Sequence, residues 1–256
     1  IDVETLSSLF HDHVEESGGT VRPVLVEAVE RVSEGGFTVE IQEGEAVTTD
    51  RVVAATRYGA EYLQPLDDGG MFETHEHEEE AEMLLDRDYA DDDGTTPVDG
   101  LYVATPATPG DEQAVMAAAR GARVGRKVVT DARIDDGWWE PVAADLDWVR
   151  REAELTGDWA DRERWVEWFD ERFAETAPVE PGSKRYQRVR EAAIDRRLDA
   201  YIDGEERAAR RQSGHEALAR RLDPEAVVTA HDETDLLDTM DEETIHGYLE
   251  SNTENR

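Results

Sequence analysis

The sequence predicts an α/β region over residues 1–133 followed by an all-α region over residues 134–256. Three observations carry this. Short valine-rich and alternating runs between residues 21 and 56 read as strands, which show period-two patterning or a brief apolar run. The segment Gly100-Leu101-Tyr102-Val103-Ala104 reads as a short buried strand that feeds a small-residue helix, the order of an α/β layer. Past residue 134 the large apolar residues recur only at helical spacing.

The first element is a helix, because Val3, Leu6, Leu9, Phe10 and Val14 recur on one face and Gly18-Gly19 ends the run. Strands are expected at Val21 to Val29, at Phe37-Thr38-Val39-Glu40-Ile41 and at Ala46 to Thr56, the last closing on Val52-Val53-Ala54-Ala55. The turns Ser33-Glu34-Gly35-Gly36 and Gln42-Glu43-Gly44-Glu45 separate them into a three-stranded meander. Residues 66–97 read as a polar, acidic excursion broken at Met83-Leu84-Leu85. Ala114 to Val129 reads as a helix beginning at Asp111-Glu112-Gln113.

Gly137-Trp138-Trp139-Glu140-Pro141 opens the helical region. Trp165, Val166, Phe169 and Phe173 stripe one helix; Val189, Ala193, Leu198 and Ile202 stripe the next. The linker Ala177-Pro178-Val179-Glu180-Pro181-Gly182 lies between them, and Leu236 through Leu249 forms a last helical piece. There is no fixed-period repeat.

Asp and Glu number 63 against 27 Lys and Arg, a formal net charge of -36, and the only lysines are Lys127 and Lys184. Such a surface repels itself in dilute buffer. The screening length falls from about 10 Å at 0.1 M salt to about 3 Å at 1 M, so the composition predicts an acidic, halophilic protein built for molar salt. Six Trp, seven Tyr and the apolar periodicities argue for packed cores rather than a disordered acidic chain. The absence of cysteine excludes disulfides, thiolate metal sites and dithiol redox chemistry. The apolar runs are too short for a membrane-spanning helix, and the acidic first residues do not read as a signal peptide. No membrane partner and a cytoplasmic location are the expectations.

Several clusters invite a functional reading. Residues 184–221 hold eleven bases and seven acids, a basic island in an acidic chain. Molar salt removes most of the counterion-release drive for nucleic acid, so no nucleic-acid partner is expected and these arginines are read as pairing with neighbouring acidic helices. His75 and His77, among Glu73, Glu76, Glu78, Glu79 and Glu80, have ligand types for a divalent metal but read as a solvated loop, not a zinc helix. His11 and His13 face different sides of a helix. Asp86 to Gly94 fails the calcium-loop template, because the twelfth position is Gly100 rather than Glu. No metal site is therefore expected. Trp138, Trp139, Trp159, Trp165 and Trp168 are read as core or domain-interface aromatics rather than a ligand cage.

The run "RVVAAT" at the end of the meander and the block "TTPVDGLYVATPATPGDEQAVMAAARGARVGRKV" carry a resemblance. With the preceding helix, residues 2–133 resemble the latter part of the FAD-binding domain of thioredoxin-reductase-like flavoprotein oxidoreductases. The resemblance implies a partial FAD/NAD(P)-binding Rossmann-like domain with a three-stranded β-meander, FAD as cofactor and a small-molecule redox substrate. It implies Thr56, Thr105, Pro106, Ala107, Gln113 and Ala114 as backbone or edge contacts to the flavin; no catalytic residue is assigned. In that family the helix after the last strand aims its N-terminus at the flavin, where its free N–H groups favour negative charge on the reduced ring.

The sequence departs from the family pattern in several places. Thr105-Pro106 stands where the family has Gly-Asp, so the usual contact to the ribityl chain is lost. Ala55-Thr56-Arg57 stands where the family has Ala-Thr-Gly, and the glycine-rich dinucleotide fingerprint is absent. The stretch between Thr56 and Gly100 is too short for an inserted NAD(P)H domain. Two expectations remain open. One is an N-terminally incomplete oxidoreductase whose first βαβ unit is encoded upstream, or a homo-oligomer. The other is a relict flavoprotein fold acting as a protein-interaction module through its helical C-terminal half.

Overall fold

A computed structural model describes residues 3–33, 35–56, 59–77, 80–86, 88–105, 113–146, 155–231 and 233–253. The chain divides into two compact units, Arg22–Ile202 and Ile1–Val21 with Asp203–Arg256. This division differs from the expected one at 133/134: the first helix groups with the C-terminal segment, and the change from α/β to all-α character occurs inside the larger unit.

The larger unit begins with β1 (Val26–Arg31), β2 (Phe37–Ile41) and β3 (Val47–Thr49), antiparallel in that order. Phe37 pairs with Arg31 on one side and Thr49 on the other, and its ring is fully buried. The β1–β2 turn requires glycine at Gly36: its φ is 79°, and an added Cβ would lie 2.6 Å from the Thr49 carbonyl oxygen.

Two strand boundaries differ from expectation. The first strand starts at Val26 rather than Val21. The single strand expected from Ala46 to Thr56 is two strands. Val47-Thr48-Thr49 stays in the meander, the chain turns at Asp50-Arg51, and β4 (Val52–Ala54) departs to pair in parallel with β7 (Leu101–Val103). A short apolar run fits a parallel pair, whereas the alternating Val-Thr-Thr fits an antiparallel edge.

The acidic excursion is more ordered than its composition suggests. A 3-10 helix at Glu61–Leu66 buries Leu63 and Leu66. β5 (Phe72–His77) and β6 (Glu80–Leu85) then form an antiparallel hairpin that sets Phe72 opposite Leu85. The core of this α/β layer joins Val29, Phe37, Ala54, Leu63, Met71, Leu101 and Val103.

Helix α2 (Ala114–Asp135) follows β7 and runs on past the expected end at Val129. Gly94 lets it approach the sheet: a Cβ there would meet Val124 at 2.6 Å and the Val103 carbonyl oxygen at 2.9 Å. Then come α3 (Glu140–Ala143), α4 (Arg162–Phe173) and α5 (Lys184–Leu198). Asp161 and Ser183 cap α4 and α5, their side chains accepting from the backbone N–H groups of Glu163 and Tyr186. Trp138, Trp139 and Trp165 are buried in the core, Trp168 is half-buried against it, and Trp159 is exposed. Trp139 stacks on Tyr186 at 5.5 Å between centroids, and Phe169 meets both rings edge-on.

The smaller unit comprises α1 (Val3–Glu16), α6 (Gly204–Ala219), α7 (Pro224–Ala230), α8 (Glu233–Asp238) and α9 (Glu242–Thr253). Arg221 donates to Asp12 and, at 3.0 Å, to the Ser8 hydroxyl. None of its described residues is buried. The apolar stripe of α1 is present but uncovered, with Val3 85 % and Phe10 60 % exposed. Among the described residues no helix is long and apolar enough to cross a membrane.

Candidate functional site

The parallel pair β4–β7 has two ends with different chemistry. At its C-terminal end the ladder continues one step, the Ala104 N–H donating to the Ala54 carbonyl at 2.8 Å. Thr56 and Thr105 follow, each two positions beyond the last register pair Ala54↔Val103. Both sequence-predicted residues therefore follow the carboxyl ends of paired parallel strands. The half-buried Thr56 hydroxyl donates to the Gly59 carbonyl at 2.8 Å. The Thr105 hydroxyl is buried and has no hydrogen-bond partner, a condition that costs free energy unless something fills it.

Gln113 is the N-cap of α2, with extended backbone (φ -72°, ψ 137°) and no side-chain cap. Its carbonyl accepts from the N–H groups of Met116 and Ala117, both at 2.9 Å. Ala114 is the first helical residue and is exposed. The Gln113 side chain makes no capping hydrogen bond at this end of the helix, where N–H groups and the dipole favour an anion or a carbonyl oxygen. Pro106 and Ala107 lie outside the described residues. The first half of α2 is bare: every residue from Ala114 to Ala119 is exposed, Val115 at 71 %.

The N-terminal end of the same strand pair opens onto a polar cleft of about 750 Å³. Its charges largely satisfy one another. The Lys127 ammonium donates to both Asp131 oxygens at 2.6 and 2.7 Å, and the Tyr102 hydroxyl donates to Asp131 at 2.7 Å. Arg51 pairs with Asp135, and Arg31 donates to the Asp99 carbonyl at 2.7 Å. Burial, and then the Asp131 carboxylate accepting its proton, hold the Tyr102 phenol well above its ordinary range. The groups of the cleft brace β4, β7 and α2 against one another. Buried hydroxyls without a partner among the described residues occur at both ends, Thr95 lining the cleft and Thr105 at the C-terminal end.

The other clusters resolve as follows. The side chains of His75 and His77 lie outside the described residues. Asp86 and Asp93 accept from the backbone N–H groups of Asp88 and Thr95 at 2.8 and 3.0 Å, the job of turn aspartates. Among the described residues no group of three or more His, Asp or Glu is placed to hold a metal ion. In the basic island, Arg190 pairs with Asp170, and Arg197 with Asp145 at 2.5 Å. Arg185 and Arg188 each donate to a carbonyl, of Gly137 and Asp136, at 2.7 Å.

No protein-family model, curated protein or solved structure matches the chain.

Proposed function

We propose that residues 22–133 are the flavin-side portion of an FAD-binding, Rossmann-like domain, and that the protein is, or completes, a cytoplasmic FAD-dependent oxidoreductase without a dithiol centre. One observation carries this reading. The parallel pairing of β4 and β7 ends on Ala54 and Val103, so Thr56 and Thr105 each follow the carboxyl end of a paired strand, and α2 comes next in the chain. Ligands of α/β sheets bind outside the carboxyl ends of their strands.

The residues present fit the flavin end of the cofactor. The Thr105 hydroxyl, buried without a partner among the described residues, and the N–H groups at the start of α2 are donors suited to carbonyl oxygens or a ring bearing negative charge. They do not supply the pyrophosphate cradle, because the chain has no glycine-rich fingerprint. FAD, when bound, supplies the hydride-accepting ring. The chain's own contribution is to orient that ring with Thr56, Thr105 and Gln113 and to favour its reduced charge through the α2 dipole. The exposed small-residue half of α2 suits packing by a βαβ unit supplied from elsewhere.

The test is a visible spectrum of the protein purified in molar salt, alone and after adding FAD. Flavin absorbance retained through gel filtration supports the reading, and Thr105→Val then weakens retention. A colourless protein that takes up no FAD, with or without a supplied βαβ unit, refutes it.

A second reading is favoured by the smaller unit. None of its described residues is buried, and it exposes Val3, Phe10, Leu237 and Tyr248. A relict flavoprotein fold that binds a partner protein through these helices would remain colourless, and Phe10→Ser would abolish capture of that partner.

A further inference from the structure

The helical part of the larger unit contains an imbalance of charge with the wrong sign for this chain. Arg133 lies in the last turn of α2, and Arg196 and Arg197 in the last turn of α5. Together with Asp145, Trp138 and Trp168 they line a small cavity of about 30 Å³. Three guanidinium groups face one carboxylate, inside a protein of net charge -36.

That carboxylate is already engaged. Asp145 pairs with Arg197 at 2.5 Å and with Arg172 at 3.7 Å. Arg133 and Arg196 have no carboxylate partner among the described residues. Arg133 is only 9 % exposed, it donates once, to the Ala143 carbonyl at 3.2 Å, and its Nε–H is buried without an acceptor. Burial, and next the nearby Arg196, shift the Arg133 guanidinium below its ordinary range.

Asp145 opposes that shift but is shared with Arg197 and Arg172, and a buried cation whose charge is only partly balanced is costly. Two features offset part of that cost. The Trp138 ring receives Arg133 at 4.8 Å and Arg196 at 5.9 Å from its centroid. The carbonyl ends of α2 and α5 also favour cations, but a helix end carries only about half an elementary charge. Neither supplies an acceptor for the Arg133 Nε–H.

We infer that the cavity bounded by Arg133, Arg196, Arg197 and Trp138 binds a single small monovalent anion of the size of chloride, which completes the charge balance where α2 meets α5. A space of about 30 Å³ holds one or two water-sized occupants, enough for a halide. Guanidinium N–H groups and an indole edge are donors of the kind a halide accepts. The site is separate from the flavin-side residues Thr56 and Thr105 and needs no redox chemistry.

The experiment holds ionic strength constant while sodium chloride replaces sodium gluconate, and follows the thermal midpoint of the whole chain. Saturable stabilisation by chloride is expected. Arg196→Gln, at an exposed position that leaves the core intact, is expected to raise the half-saturating chloride concentration about tenfold or more, because hydrogen bonds to charged groups are among the strong ones. Crystals soaked in bromide are expected to show an anomalous peak in this cavity. A midpoint indifferent to chloride, a response that Arg196→Gln leaves unchanged, or bromide absent from the cavity would each overturn the inference. Arg133→Met removes the buried partner; should it fail to fold, Arg196→Gln decides alone.

Discussion

The two cores of the larger unit are finished to different degrees. The helical core closes on itself: Trp139, Phe169, Phe173 and Tyr186 touch in a continuous aromatic cluster, and each is nearly or fully buried. The α/β layer is sealed beneath Phe37, Leu63 and Leu101 but stops short on its other side. There, β4 and β7 form a two-stranded sheet, Val53 is 44 % exposed, and the first half of α2 has no cover. A stable core and an uncovered face place opposite demands on apolar residues. This protein separates them along the chain, with the aromatic mass in the helices and the uncovered small residues in the α/β layer.

The largest expected effect concerns the whole protein. Dialysis from molar salt into dilute buffer unscreens the carboxylates, and circular dichroism is expected to lose most of its helical signal. An unchanged spectrum would remove salt adaptation from the account. Next come the cores themselves. Phe169→Ala, which breaks the aromatic cluster, is expected to cost about 3–5 kcal/mol in denaturant unfolding at high salt, and Leu101→Ala in the α/β layer about 2–4 kcal/mol. A larger loss from Leu101 than from Phe169 would reverse the ranking of the two cores.

A smaller effect comes from the phenols that tie the cores to acid groups. Burial, and then an accepting carboxylate, raise Tyr102 and Tyr186 above the ordinary value of 10.0. The unfolded chain therefore ionises first as pH rises. The stabilisation is fully present below pH 10.0 and is lost as pH climbs from there through the folded values. The urea midpoint is expected to fall over that range, less steeply in Tyr186→Phe. A midpoint flat above pH 10.0 would contradict the raised phenols. The smallest effect is at the bare face: Val115→Ser is expected to change the stability of the chain alone by no more than about 0.5 kcal/mol. A cost above about 1 kcal/mol would show that the face is already covered in solution.

Several elements were legible in the sequence because their patterns are local. The α1 stripe, the alternation of Phe37 to Ile41 and the apolar runs at Val52 and Leu101 each declare a period within a few residues. The β5–β6 hairpin did not, because Phe72-Glu73-Thr74-His75-Glu76-His77 holds one large apolar residue and its alternation is between polar types. The break between β3 and β4 was hidden because Asp50-Arg51 carries no glycine or proline to mark the turn. Of the candidate site, Thr56 and Thr105 could be named, but their common place after the ends of paired strands depends on the parallel register and is non-local. The arginine cavity left no sequence signal, since Arg133 and Arg196 belong to different helices and nothing about either residue alone is unusual.

The ion pair between Lys127 and Asp131 has a practical corollary. The protein has no thiol, and its only other lysine, Lys184, is exposed at the first turn of α5. With the Lys127 amine engaged by both oxygens of Asp131, amine-selective labelling of lysine side chains is directed to Lys184. Lys184 lies two residues from the buried Tyr186, so a dye placed there reports on the helical core without any engineered handle.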